Sequence, residues 1–281
     1  MSILKGRGKN IIEATIKVMG VVSILPVLGI FAYIIYKGVP AISWTFLSEG
    51  PKSGMREGGI FPVIVGSLLL TIGTIIASVP FGILTGVYLV EYSKDNWLRR
   101  MINLTIVNLA GIPSIVYGLF GMAFFVIAMG LGRSLIAGCL TLGIMSLPVI
   151  ITATRESLLA IPKSLREASL AIGATQWETT WKIVLPAATP GILTGIILSV
   201  SRAAGETAPI MFTAAAFYLP FLPESISDQV MALPYHLYVI STQVPNMPGS
   251  NMMGTLFVLV SITVGFNLLG AFVRNKFRKY S

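Results

Sequence analysis

Long apolar runs, broken at intervals by short polar clusters, occupy most of this sequence. A helix that crosses a bilayer needs about 20 largely apolar residues. Six segments meet that length, near 18–36, 61–90, 103–129, 134–154, 190–216 and 254–273. The second is long enough to tilt or to begin in an interfacial turn. Gly73, Pro80, Gly82, Gly86, Pro113, Gly118 and Pro148 interrupt these runs. Lipid tolerates such breaks because neighbouring helices re-satisfy the freed backbone groups. Gly82 with Gly86, and Ala110 with Ser114, have the four-residue spacing of small residues that lets helices approach closely. The pattern predicts an all-α polytopic membrane protein of about six transmembrane helices, with residues 1–281 forming a single membrane domain.

Composition sharpens this. Hydrophobic residues make up 54% of the 281 and charged residues 11%, against about 25% charged in a soluble domain. The net charge of +9 does not point to nucleic acid, because the Lys and Arg residues sit in short clusters between apolar runs and membrane lipid is the implied surface. Counting them in the loops sets an orientation. Four fall in 1–17 (Lys5, Arg7, Lys9, Lys17), three in 91–102, four in 155–186 and four in 274–281. The opposite side receives Lys37, Lys52, Arg56 and Arg133. Both termini are therefore expected in the cytoplasm. The first run is longer than the apolar stretch of a signal peptide and reads as an uncleaved membrane helix. Cys139, the one cysteine, reads as a small packing residue.

The extracytoplasmic loop 217–250 has no Lys or Arg and is rich in aromatics and prolines, including Tyr218, Phe221, Pro223, Pro234, Tyr235, Tyr238 and Pro245. Either an aromatic belt or a surface for an external partner fits it. His236, the one histidine, reads as a loop residue.

The loop 155–186 carries more information. Ser164 and Glu167 have capping-box spacing and predict a short helix through Ile172, closed by Gly173 as a left-handed cap. Thr175 and Glu178 repeat the spacing and predict a second helix to Leu185, stopped by Pro186. Leu165, Ala168 and Ile172 share one face of the first, and Trp177, Trp181 and Val184 one face of the second. Two placements fit these residues equally, a hairpin lying on the headgroups or a compact knob entering a partner's groove.

A resemblance separates them. Glu167-Ala168-Ser169, then Gly173, then Ile183-x-Leu185-Pro186 resembles the EAA motif of ABC importer permeases, with Ser169 in place of the second alanine as the one departure. The resemblance implies a type I ABC importer permease fold in which this loop is the coupling helix. Glu167, Ala168, Gly173, Ile183, Leu185 and Pro186 would then serve coupling to a nucleotide-binding subunit. The chain has no Gly-x-x-x-x-Gly-Lys-Ser/Thr phosphate loop, so the expectation is that it binds no cofactor and that a partner ATPase uses the ATP and Mg.

The fifth segment holds Arg202 and Glu206, four residues apart and hence on one helical face. Arg202 falls about 12 residues past the segment's start, about 18 Å in, near the expected mid-bilayer. Arg at that depth costs about 2.5–3.5 kcal/mol on insertion scales and is tolerated facing a cavity or a partner. Two roles fit. A guanidinium fork lining an oxyanion pathway donates paired hydrogen bonds and stays charged, with Glu206 holding it. A structural ion pair between helices is the other.

Arg-Ala-Ala-Gly-Glu-Thr-Ala-Pro-Ile at 202–210 resembles the permease subunits of phosphate ABC importers, as do 58–67 and 110–121. The resemblance covers about 45–280 and implies import of inorganic phosphate across a bacterial or archaeal plasma membrane. It implies a homologous second permease of the PstC type, two ATPase subunits of the PstB type and an extracytoplasmic phosphate-binding protein of the PstS type. A permease for sulfate, molybdate or phosphonate is the nearest rival. A secondary transporter leaves the EAA loop without a role, and a membrane scaffold leaves Arg202 unexplained. No Ser-His-Asp, Cys-His or metal-ligand arrangement suggests an enzyme.

Overall fold

The computed structural model describes residues 7–278, with side chains over 12–276. Lys5 and Lys279 lie outside the described residues, as do the side chains of Arg7, Lys9 and Arg278. Helices dominate in the order α1 (Arg7–Gly38), α2 (Trp44–Ser48), α3 (Phe61–Val87), α4 (Trp97–Ala110), α5 (Ser114–Gly121), α6 (Leu135–Leu159), α7 (Lys163–Ala171), α8 (Gln176–Thr179), α9 (Leu185–Gly205), α10 (Ala208–Thr213), α11 (Leu233–Thr242) and α12 (Gly249–Arg278). Two-residue strands β1 (Pro51–Lys52) and β2 (Glu57–Gly58) pair antiparallel between α2 and α3.

Among the described residues five single helical stretches are long and apolar enough to cross a membrane, at Ile12–Ala41, Phe61–Tyr92, Leu135–Leu159, Gln176–Gly205 and Gly249–Lys276. The segment expected as one helix over 103–129 is two helices, α4 and α5 with the turn that continues α5 to Ala128, bent by 109° and together long and apolar enough for a sixth, broken span. At 14 residues, α4 reaches about 21 Å, short of the roughly 30 Å hydrocarbon core. Pro113 is the reason for the break, since it caps α5 in an extended conformation and cannot continue the hydrogen bonding of α4. Ala110 and Ser114 therefore end one helix and begin the next rather than sharing a face.

The centre is the packing of α6 against α3 on one side and α9 on the other. Cys139 Sγ lies where a β-carbon on Gly73 would sit, 2.3 Å from it. A β-carbon on Gly82 would meet Ile150 Cγ2 at 2.5 Å, and one on Gly86 would meet Thr154 Cβ at 2.6 Å. The Gly82/Gly86 spacing thus marks a backbone-close helix contact, and Cys139 is the small packing residue expected. Leu70, Leu142, Met145, Ile210 and Ala214 fill one apolar cluster nearby. By contrast α1 buries almost nothing until Ile34, where its last turns meet α12.

The molecule has two ends. At the loop end, Ile60 donates to Phe46 O and Leu135 to Asp228 O. Segment 217–250 closes this end and differs from an open loop. It contains α11, whose Leu233, Val239 and Ile240 are buried. His236 is not a loop residue but a member of this helix, 3% exposed. Burial lowers its pKa to about 4, so the imidazole is neutral near pH 7. At the other end, α6 extends to Leu159, and α7 with the turn after it forms a knob.

Candidate functional site

The knob is built around a tight turn. Gly173 has φ +91°, a left-handed conformation glycine adopts without penalty, and its N–H donates to Leu170 O at 3.0 Å. Thr175 caps α8 through the expected box, with Glu178 N donating to Thr175 Oγ1 and Thr175 N to Glu178 Oε2. The first box does not form. Pro162 is the N-cap of α7, which places Ser164 inside the first turn, where its hydroxyl cannot cap.

The second helix does not stop at Pro186. Residues 180–184 form a π-helical turn, and Leu185 N–H bonds back five residues to Thr180 O. That wider turn makes room for a proline that lacks an N–H and crowds the carbonyl four residues before it. The helix therefore runs from Gln176 to Gly205 as one span. The knob is one short helix and a turn seated on the stem of α9, not two short helices, and residues 155–159 belong to α6.

The motif residues separate accordingly. Glu167, Ala168 and Gly173 are exposed on the knob, beside Leu165, Ile172 and Trp177, whose apolar side chains are also exposed, Ile172 by 85%. Ile183 and Leu185 are partly buried in the stem and Pro186 is exposed there, with Leu185 packing on the cluster of Val87, Leu158 and Val184. Trp177 and Trp181 pack with ring centroids 5.0 Å apart and the ring planes tilted by 46°. Ser169, the departure from the motif, is buried and shares a 2.8 Å hydrogen bond with Thr179.

Three further residues fasten the knob. Arg166 of α7 is paired with Glu91 at 2.7 Å, their side chains 19% and 9% exposed, and donates to Ile161 O and Leu158 O. Gln176 donates its amide to Glu91 O. Glu91 lies 75 residues from Arg166, beyond the reach of helical spacing, so sequence reasoning missed the pair.

Arg202 and Glu206 sit at the opposite end of the same span. Arg202 Nε donates to Glu206 Oε1 at 3.2 Å, with the side chains 50% and 16% exposed. Arg202 lies in the last turn of α9, and Glu206 has already left the helix at φ −75°, ψ 132°. Because α9 begins at Leu185, Arg202 is about 26 Å along it, past the middle expected from a start at 190. Gly205 and Pro209 flank the break, and Pro209 occupies the first turn of α10. Among the described residues, only Nε of the Arg202 guanidinium is engaged, so its terminal nitrogens remain open as donors. Glu206 borders a narrow crevice lined by Ser67, Thr71, Leu142, Ile210 and Pro234. Gly118 brings α5 onto α10, where a β-carbon would come within 2.9 Å of Ala208 O. Tyr117, next to it, donates to Leu109 O across the α4–α5 break and lies within electrostatic reach of Arg202. Beyond this, Arg133 donates to Met211 O and Ala215 O, fixing the exit of α10. Among the described residues no group of three or more His, Cys, Asp and Glu side chains converges as a metal site.

Known proteins resemble this chain in sequence and in fold. The model of the binding-protein-dependent transport system inner membrane component family matches residues 78–278. The probable ABC transporter permease protein YqgI of Bacillus subtilis is 33% identical, over 85% of this chain and 86% of that protein. The phosphate transport system permease protein PstA 1 of Mycobacterium tuberculosis is 32% identical, over 96% of this chain and 90% of its own length. Among solved structures, the inward-facing MetNI methionine ABC transporter superposes with a TM-score of 0.62 at 19% identity, over 78% of this chain and 97% of that one. A bacterial ABC transporter that imports alginate gives 0.61 at 12% identity, over 94% and 98%. Both are similar in fold, which is the type I importer permease architecture.

Proposed function

We propose that this chain, which belongs to the family of binding-protein-dependent transport system inner membrane components, is the permease subunit through which an ATP-driven importer takes up inorganic phosphate. Relatives named as phosphate transport system permeases, at 32–34% identity over most of the chain, support the substrate. It pairs with a homologous permease of the PstC type, and two ATPase subunits of the PstB type bind and hydrolyse ATP with Mg. A binding protein of the PstS type delivers phosphate. This chain performs no bond chemistry. The knob end faces the cytoplasm, with both termini on that side, in keeping with Lys94, Arg99, Arg100, Lys163 and Lys182 at that end.

The observation that carries the site is the half-exposed Arg202 beside the break after α9, held through Nε with its terminal nitrogens open. Phosphate oxygens accept the paired donors of such a fork. Glu206 holds the fork and accepts from a protonated phosphate oxygen, which sulfate lacks near neutral pH. The exposed knob residues Glu167, Ala168 and Gly173 dock the ATPase, and Ile183, Leu185 and Pro186 carry its movement into α9. ATP-driven closure then opens the Arg202 region alternately to each side.

Labelled phosphate uptake tests this in cells lacking their own such permease, with the partner subunits co-expressed and excess sulfate as competitor. The expected result is uptake that resists sulfate and disappears in Arg202→Gln while the variant remains in the membrane. A fully active, assembled Arg202→Gln removes Arg202 from the pathway. Uptake blocked by sulfate moves the substrate to another oxyanion.

A further inference from the structure

The pair Glu91–Arg166 has no part in the reading above, yet it is a built cluster at a mechanical junction. Glu91 lies in a π-helical turn, Tyr88–Tyr92, that ends α3. Arg166 reaches its carboxylate through both Nε and Nη2, at 3.2 and 2.7 Å to Oε1. The same guanidinium holds Leu158 O and Ile161 O, each at 2.8 Å, which are the last carbonyls of α6 and its exit. Gln176, first in α8, takes the backbone carbonyl of Glu91. One cluster thus ties α3, α6, α7 and the base of α9 together.

Stability is a weak reason for such a cluster. Desolvating two charges costs several kcal/mol per ion, and apolar residues of the same volume often hold as well. What an ion pair with a guanidinium fork adds is a fixed direction and register. The knob is covalently continuous with α6 and α9 but not with α3. Its only polar connections to the end of α3 among the described residues are those of Arg166 and Gln176. At its other end α3 carries Ser67 and Thr71, which line the crevice at Glu206. Thr71 and Glu91 are about 30 Å apart along the helix. Between them α3 lies against α6 at Gly73, Gly82 and Gly86 with no room for a β-carbon.

We infer that Glu91 and Arg166, with Gln176, form a latch through which displacement of the knob is passed to α3 and so to the crevice beside Glu206 and Arg202. Glu91 and Arg166 are positioning residues, touching neither substrate nor nucleotide. The inference rests on the reading of the knob as the ATPase dock. Without the latch the knob still docks and the ATPase still turns over, because its exposed surface is unchanged. α3 no longer follows the knob, and hydrolysis is spent without transport.

The test is phosphate taken up per ATP hydrolysed, in proteoliposomes of the full complex with its binding protein. Glu91→Gln removes the charge while keeping shape, and Arg166→Lys keeps the charge while losing the fork. Each is expected to lower uptake per ATP about tenfold, within the usual range of coupling energies, with hydrolysis held to within about twofold of wild type. Glu91→Asp is expected to fall between wild type and Glu91→Gln. An unchanged ratio in both Glu91→Gln and Arg166→Lys overturns the latch. So does a parallel fall of uptake and hydrolysis, or failure of both variants to assemble, since each makes the pair purely structural. A wild-type complex whose uptake ignores ATP instead defeats the docking reading, and the latch with it.

Discussion

Gly86 of α3 lies so close to Thr154 of α6 that a β-carbon on the glycine would stand 2.6 Å from both Cβ and Cγ2 of the threonine. The Thr154 hydroxyl is turned away, donating to Ile150 O at 2.8 Å, which leaves its methyl against the α3 backbone. Gly86→Ala therefore forces the two helices apart at this contact. Overpacking of this kind costs about 1–3 kcal/mol. Thermal unfolding in detergent is expected to show the loss, and adding Thr154→Gly is expected to return part of it. Strictly additive losses would show that the two residues do not share the strain.

Ser169 and Thr179 meet across the knob, both buried, and share one hydrogen bond. Ser169→Ala conforms to the family motif but leaves the Thr179 hydroxyl without that partner in a buried position. The penalty for an unsatisfied buried hydroxyl is about 1–3 kcal/mol. The expected outcome is a lowered unfolding temperature for Ser169→Ala and a smaller loss for Ser169→Ala with Thr179→Val. Equal losses in the two variants would remove the hydrogen bond from the account.

His236 provides a pH test. Its pKa is lowered by burial from 6.5 to about 4. The unfolded chain therefore binds more protons between those values, and stability falls as pH drops through that window. At pH 5 the linkage amounts to about 2 kcal/mol relative to pH 7, and below about pH 4 it levels off. Among the described residues His236 Nδ1 has no hydrogen-bond partner, so His236→Phe orphans no neighbour at that atom. Unfolding in detergent at pH 7 and pH 5 is expected to show a larger acid loss in wild type than in His236→Phe. An equal loss in both would place the acid sensitivity elsewhere.

The spans were legible because a 20-residue apolar run is a coarse signal that local detail does not alter. Pro113 was visible, but a 109° bend follows from packing of α5 on α10 as well as from the missing N–H. Pro186 misled in the opposite direction, because the π-helical turn before it absorbs the clash that usually ends a helix. That displaced the start of the span and with it the depth of Arg202. Ser164 failed as a cap because the N-cap of α7 is Pro162, two residues earlier. The Arg202–Glu206 pair was legible from its spacing alone, although Glu206 is no longer helical. Glu91–Arg166 was illegible, since nothing local links residues on α3 and α7 that meet only after α6 has returned the chain to the same end.

Gly173 separates backbone from surface in the proposed docking. Its φ of +91° strains any residue with a β-carbon, yet nothing lies within 4 Å of where that carbon would point. A substitution there meets no clash within the chain, and its cost is conformational, about 1–3 kcal/mol for a residue held in such a region. Asn tolerates left-handed backbone better than Val. If the turn only shapes the knob, Gly173→Asn is expected to keep most phosphate uptake while Gly173→Val loses it. If the open space around Gly173 is filled by the ATPase, both side chains intrude, and the two variants lose uptake alike. Uptake assays paired with co-purification of the ATPase distinguish these outcomes, since loss of the turn and loss of docking space both release the ATPase but only the second does so for Gly173→Asn. Full uptake in Gly173→Val would show that the knob tolerates rearrangement at its turn, and would withdraw Gly173 from the coupling surface.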